Sequence, residues 1–368
     1  MGSEMCIRDS EQLGGKAIDP PTLMDASIPL ELSGEAVRTR LCIFTDHEGR
    51  ERALRPDLTL PVAKLEAERL QSGGSGEQRY CYNARAYRLP SEPGLPMEFT
   101  QIGTEVFGGP STSHADADLF EVVARAAEAG GVTPGKSWFG DLSIFPAFVD
   151  AFDLTPTTAD ALKRAFRQAG GVTALLTQNL DNTHSALAAQ LTGASREEAE
   201  AVVRDVLGVS GIQPVGARSL EEIVEGLMAK AASASTGGIP KSAKLTLNKV
   251  LSVETDPLQA AAELSDIAKS AELSNVDEAL NTLQVRMDKI AKSSPNYMKN
   301  TKFGTPFGRR FNYYDGFVFE LFAKEASEAA PYAAGGRYDS LIAKLSGDRV
   351  YANGVGGVVR PDRMGGKS

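Results

Sequence analysis

From Thr155 to about Ser294 the sequence is alanine-rich and helical in pattern, yet the residues on both sides of it read as strands. "LCIFTD", a hairpin around "YRLPSEPGLPMEF" and "KSWFGDLSIFPAFVDAF" precede the block, and "RRFNYYDGFVFELFA", "AAGGRYDSLIAKL" and "YANGVGGVVRPDRM" follow it. A block with helical start signals between two strand-rich segments is an insertion between the two halves of one sheet domain, and the expected class is α+β. Those start signals are Thr155 before Pro156, an N-cap with proline at the first helical position, and two capping boxes, Ser195 to Glu198 and Ser219 to Glu222. "SASTGGIPKSAK", Ser233 to Lys244, reads as a linker. The boundaries drawn are residues 11–152 for the first part of the sheet domain, 153–296 for the helical insertion and 297–368 for the second part. "MGSEMCIRDS", residues 1–10, lacks apolar periodicity and is set aside as a non-native leader, together with Cys6.

Composition narrows the function classes. With 368 residues and 42% hydrophobic content the chain can bury a full core and has room for two or three domains. A net charge of −9 disfavours a surface built to neutralise nucleic-acid phosphates. Cys6, Cys42 and Cys81 are far apart, and His47, His114 and His184 form no metal-ligand spacing, so no metal is expected and a reducing cytoplasm fits. No run of about eighteen apolar residues marks a membrane span, and no signal peptide opens the chain.

Three stretches carry candidate chemistry. In "LRPDLTLPV", Asp57 and Thr59 are two apart and would share a face of an extended segment. On the second hairpin strand Met97, Phe99, Gln101, Gly103 and Glu105 share a face, and the glycine leaves space between two polar side chains that would suit an ammonium group. In "RRFNYYDGFVFE", read as a strand, Tyr313 and Tyr314 point to opposite faces, so that one lines a site and the other packs. Each stretch alone has a plainer reading: Asp57 as a turn or N-cap residue, Gln101 and Glu105 as the solvated face of an edge strand, the tyrosines as core. "GGRYD" and "GVGG" lack phosphate-loop spacing and read as turns.

Taken together and in order, "LRPDLT", "YR…MEFTQIGTEVFG", "RRFNYYDGFVFE", "GGRYDSLIAKL" and "NGVGGVVRPDRM" resemble the catalytic core of histidyl-tRNA synthetase, a class II aminoacyl-tRNA synthetase. The resemblance implies a class II antiparallel sheet flanked by helices with an inserted helical domain. It also implies that Asp57, Thr59, Gln101 and Glu105 surround the α-amino group of histidine, that Tyr313 and Tyr314 lie at the imidazole, and that Arg309 reaches the carboxylate. Charge-assisted bonds of that kind contribute ~1.5–3 kcal/mol each.

The ATP side of such a site is only half kept. Arg88 matches the arginine that holds the α-phosphate and Arg363 the one in the last motif, so both are vestigial phosphate ligands. Pro90 stands where a glutamate meets adenine, Leu95 where a basic residue meets the far end of ATP, and Arg360 where a glycine floors the adenine. The chain also stops directly after this motif, where a synthetase continues into an anticodon-binding domain. That combination is similar to the regulatory subunit family of ATP phosphoribosyltransferase. The resemblance implies a protein with no catalysis and no cofactor of its own, in a homodimer within a hetero-oligomer, with histidine as ligand and feedback signal. Its partner is the short catalytic subunit that performs the first step of histidine biosynthesis, and neither nucleic acid nor membrane is expected. The alternative is a histidyl-tRNA synthetase-like enzyme that activates an amino acid.

Overall fold

The computed structural model describes residues 15–33, 35–91, 96–109, 113–168, 171–177, 198–202, 204, 239–308, 312–324 and 331–364. Their strands, in chain order, are β1 (Lys16–Ala17), β2 (Leu23–Asp25), β3 (Ile43–Thr45), β4 (Glu51–Leu54), β5 (Gln78–Tyr87), β6 (Glu98–Phe107), β7 (Pro134–Asp141), β8 (Glu254–Thr255), β9 (Thr301–Gly304), β10 (Phe317–Ala323), β11 (Ala333–Arg337) and β12 (Gly354–Val359). The helices that matter below are α1 (Thr59–Gln71), α2 (Ser113–Ala129), α3 (Pro156–Phe166), α4 (Lys241–Leu251), α5 (Asp277–Ser293) and α6 (Leu341–Ser346).

Nine strands form one sheet in the order β1, β5, β6, β12, β11, β10, β7, β9, β8, and β2, β4 and β3 form a small second sheet. The large sheet is antiparallel except where β1 joins β5 and β7 joins β9. Its centre is a seam between distant parts of the chain. β6 pairs with β12, Glu105 opposite Gly356, and β12 pairs with β11, Gly357 opposite Gly335.

Of the two stretches expected as turns, "GVGG" lies wholly in β12 and the first three residues of "GGRYD" end β11, while Tyr338 and Asp339 follow the strand and Asp339 stands in a turn as expected. The reason is steric. A Cβ on Gly335 would sit 2.6 Å from both the Gly356 carbonyl and the Phe319 ring, so the strands approach where side chains have no room. The opposite error concerns "RRFNYYDGFVFE": the strand begins only at Phe317, and the described residues before it, Asn312 to Gly316, form turns and bends.

The chain divides into two compact units, one of residues 1–144, 251–266 and 276–368, the other of residues 145–250 and 267–275. In the first, α2 lies over β11 and β12 and carries α5, while α1 and α6 pack together on the other face. Phe120 of α2 meets Phe139, Phe319 and Tyr297 edge-on with centroids 5.2, 5.1 and 5.7 Å away, the arrangement aromatic quadrupoles favour. α5 was grouped with the helical insertion on sequence grounds, but it belongs to this unit. Arg286, buried, donates to Asp116 of α2 at 2.8 Å and to Asp141 of β7 at 2.5 Å. Helical periodicity marks an apolar face without saying what covers it.

In the second unit the start of α3 follows the capping signal: Thr155 Oγ1 accepts from the Thr158 amide at 3.3 Å and Pro156 opens the helix. Phe166 stacks on Phe145, centroids 4.5 Å apart. The linker read from Ser233 to Lys244 gives way at Lys241, where α4 begins. The two capping boxes lie wholly or partly outside the described residues.

Candidate functional site

Glu105 lies near the C-terminal end of β6, fully buried, between Tyr80 of β5 and Gly356 of β12 in the ladder. The place exists because Gly356 has no side chain: a Cβ there would be 1.5 Å from Glu105 Oε2. Gly103, two residues earlier on the same face, gives its space to the Tyr82 hydroxyl, which would lie 2.5 Å from a Cβ. Three hydroxyls then converge on the carboxylate. Thr59 Oγ1 donates to Oε1 at 2.8 Å, Tyr82 to Oε1 at 2.7 Å, and Tyr338 to Oε2. Burial nonetheless pushes the Glu105 carboxyl up to about 7, against the hydroxyls of Tyr338, Tyr82 and Thr59 that favour the ionised form, and with a smaller push from the nearby charge of Asp57.

Asp57 and Thr59 do not share an extended segment. Asp57 lies in a bend and Thr59 is the first residue of α1. Asp57 Oδ1 accepts from the Leu60 amide at 3.0 Å, the capping role its residue type favours, whereas Oδ2 is buried without a hydrogen-bond partner. Burial raises this carboxyl above the usual range, opposed by Arg88 and by the amides of Leu60 and Thr59. Gln101 is buried too, its Oε1 accepting from the Leu58 amide at 3.1 Å. The reading of Gln101 and Glu105 as the solvated face of an edge strand is thereby excluded, since β6 lies inside the sheet between β5 and β12.

The aromatic wall is made of three rings. Tyr313 and Tyr314 are in contact at 4.8 Å between centroids, and each lies about one ring away from Tyr338, at 6.0 and 6.1 Å. Both neighbouring tyrosines reach the same cluster because the chain there is a loop and not a strand. Tyr314 rests on the main chain of β11, 2.9 Å from where a Cβ of Gly336 would stand. Sequence reasoning missed Tyr82 and Tyr338 as site residues. Tyr82 shares a strand face with Tyr80 and opposes Gly103, which was a usable signal, but Tyr338 was hidden when "GGRYD" read as a turn.

Next to Asp57, whose charge acts on Arg88, two guanidinium groups share one ring. The Arg88 carbon is 5.3 Å and the Arg360 carbon 3.7 Å from the Phe99 centroid. Arg88 also donates to the Pro56 carbonyl at 2.8 Å, and Arg360 is held by both oxygens of Asp362, at 3.0 and 2.7 Å. Arg363 donates to the Pro331 carbonyl at 3.1 Å, and Arg360 joins Arg88 at Phe99. Arg309 and Leu95 lie outside the described residues. Among the described residues no cluster of His, Cys, Asp and Glu is placed to hold a metal ion, and Cys42 and Cys81 are not in disulfides.

Two buried carboxylates, one with an oxygen that has no hydrogen-bond partner, lie beside phenol rings, a chemistry that favours N–H donors of a cation and a flat group. The family model described as histidyl-tRNA synthetase matches residues 10–231 and 199–360. Among solved structures, one titled ATP phosphoribosyltransferase regulatory subunit/histidyl-tRNA synthetase, from Bacillus halodurans, aligns with a TM-score of 0.64 at 20% identity over 99% of this chain and 78% of that one. A histidyl-tRNA synthetase from Nostoc aligns with a TM-score of 0.60 at 15% identity, over 99% of this chain and 69% of that one. The fold is thus that of a histidyl-tRNA synthetase-like class II protein. Curated relatives are more specific: the ATP phosphoribosyltransferase regulatory subunit of Agrobacterium fabrum is 30% identical over 336 residues, 89% of this chain and 86% of that one. That of Allorhizobium ampelinum is 28% identical over 347 residues, 92% and 90% of the two chains. The chain belongs to the histidyl-tRNA synthetase-like family, in the branch of ATP phosphoribosyltransferase regulatory subunits.

Proposed function

We propose that the chain acts as the non-catalytic regulatory subunit of a cytoplasmic ATP phosphoribosyltransferase, dimeric within a hetero-oligomer, and that it carries histidine in the Glu105 cleft. Its partner is the short catalytic subunit, which condenses ATP with phosphoribosyl pyrophosphate. The observation that carries the ligand assignment is the pair of buried carboxylates, Glu105 under three hydroxyls and Asp57 with Oδ2 unmatched. An α-ammonium group supplies donors to both, and the rings of Tyr313, Tyr314 and Tyr338 offer faces to an imidazole. Among the described residues no helix is long and apolar enough to cross a membrane.

The ring face of Phe99, at the end of the cleft where the resemblance expects adenine, is filled by Arg360, and Asp362 holds Arg360 in place. Productive ATP binding is therefore not expected. Histidine-dependent exchange of labelled pyrophosphate into ATP should stay at background, and turnover at synthetase rates would replace the regulatory reading with an amino-acid-activating one. The decisive test is co-purification with a short catalytic subunit and assay of phosphoribosyl-ATP formation with and without this chain.

A further inference from the structure

Asp315 follows the tyrosine pair and was not singled out by its sequence. Its main-chain N–H donates to the Arg337 carbonyl at 2.9 Å, and its two carboxylate oxygens accept from consecutive amides, Asp339 at 2.9 Å and Ser340 at 2.8 Å. Ser340 immediately precedes α6, so the carboxylate satisfies amides at a helix start from another part of the chain. Between the two ends of this clamp stands Tyr338, the residue that donates to Glu105. One side of the clamp thus carries Tyr313 and Tyr314, the other carries Tyr338.

The surroundings hold the clamp from behind. Arg337 donates to Asp339 at 2.8 Å and to Asp116 at 2.6 Å, and Asp339 also accepts from the Gly354 amide at 3.0 Å. Gly316, the next residue after Asp315, lets the loop lie on Arg337, since a Cβ there would meet that side chain at 3.1 to 3.2 Å. The sequence Tyr-Tyr-Asp-Gly therefore reads as two rings, a clamp and a close approach.

We propose that Asp315 is a positioning residue: by tying the Tyr313–Tyr314 loop to the turn after β11, it sets the three rings and Glu105 in one preformed wall and so sets the affinity of the cleft. The inference rests on the reading of that cleft as a histidine site. A ligand that meets a preformed wall does not bear the cost of ordering it, whereas a loosened loop must be ordered on each binding event.

The test compares the unaltered chain with Asp315→Ala and Asp315→Asn by histidine calorimetry and segment-resolved hydrogen exchange. Asp315→Ala removes both acceptors and should weaken histidine binding about tenfold or more. It should speed amide exchange in residues 312–316 and 337–341 while β5 and β6 stay protected. Asp315→Asn keeps one acceptor and should fall between the two. If Asp315→Ala binds histidine at full strength, the clamp has no positioning role. If exchange rises throughout the sheet and Asp315→Asn is no better than Asp315→Ala, Asp315 serves general stability, and the inference is overturned in that way too. Failure of the unaltered chain to bind histidine would instead overturn the cleft assignment itself, and the positioning role with it.

Discussion

Three hydroxyls donate to Glu105, an arrangement that ordinarily deepens the preference for the ionised form, and the carboxyl still ends at about 7 because burial outweighs them. Such a residue is poised to ionise when a cation arrives. Glu105→Gln removes one charge-assisted bond and should weaken histidine binding roughly 10- to 100-fold, from ~1.5–3 kcal/mol lost. The pH profile gives a sharper check. Below pH 7 binding of an ammonium requires Glu105 to lose its proton, so affinity should rise with pH by up to about tenfold per unit and level off above 7. Calorimetry on Glu105→Gln should show that slope largely removed, leaving only what the ligand's imidazole and the facing Asp57 contribute. The linkage to stability has the opposite sign. Because the folded value lies above the ordinary carboxylate one, the native state holds a proton that the unfolded chain has already released. The group's contribution is full below about pH 4 and is lost as pH rises toward 7. Denaturant midpoints of the unliganded chain and of Glu105→Gln, compared across that window, should therefore diverge. A slope of affinity that survives in Glu105→Gln would place the sensing proton on Asp57 or on the ligand.

β11 and β12 show how an element can be built around a side chain that belongs to its neighbour. Gly356 leaves the space that Glu105 fills, and Gly336 leaves the surface on which Tyr314 lies. Gly356→Ala stiffens the unfolded chain, a gain of about 0.4–1 kcal/mol where the native backbone accepts it. Here the new methyl would overlap Glu105 Oε2, and overpacking of that kind costs ~1–3 kcal/mol. The clash should win: the variant should unfold at lower denaturant and bind histidine weakly or not at all, while unchanged stability would mean that Glu105 has another rotamer to move to. The same glycines explain what the sequence concealed. Local signals were readable where chemistry and neighbourhood coincide, as in the β5–β6 hairpin with Tyr87 opposite Glu98 or in the Thr155 cap of α3. They failed where a distant residue decides, since a glycine in a central strand looks like a turn until Glu105 is known to stand opposite. Asp57 is a mixed case, for one oxygen does the turn-forming work its type favours while the other is buried without a hydrogen-bond partner. The side chains that meet in the cleft were named largely through the family resemblance. Tyr82, Tyr338 and Asp315 escaped because their roles come from packing across strands and not from spacing.

At the scale of the whole molecule, a regulatory protein works only if its ligand distinguishes two states of the complex. Histidine that bound the active and inhibited arrangements equally would shift nothing, however tightly it bound. A coupling of ~1–3 kcal/mol, the usual range, corresponds to about 5- to 150-fold in affinity between the states. The residues around Glu105 are linked by hydrogen bonds to more distant parts of the same unit. Tyr338, touching Glu105, lies between Arg337 and Asp339, and Arg337 is bound through buried Asp116 to Arg286 on the outer helix α5. The test adds this chain to a short catalytic subunit and measures phosphoribosyl-ATP formation over a histidine titration. Asp57→Ala combined with Glu105→Gln should leave assembly and activation in place, because both side chains are buried in the cleft, and should move the inhibition curve to higher histidine by about the coupling range. If the double variant loses activation yet the residual activity keeps its histidine sensitivity, the cleft is scaffold and the sensor lies on the partner. If the unaltered chain neither assembles with the catalytic subunit nor changes its rate, the regulatory assignment fails, whatever the cleft binds.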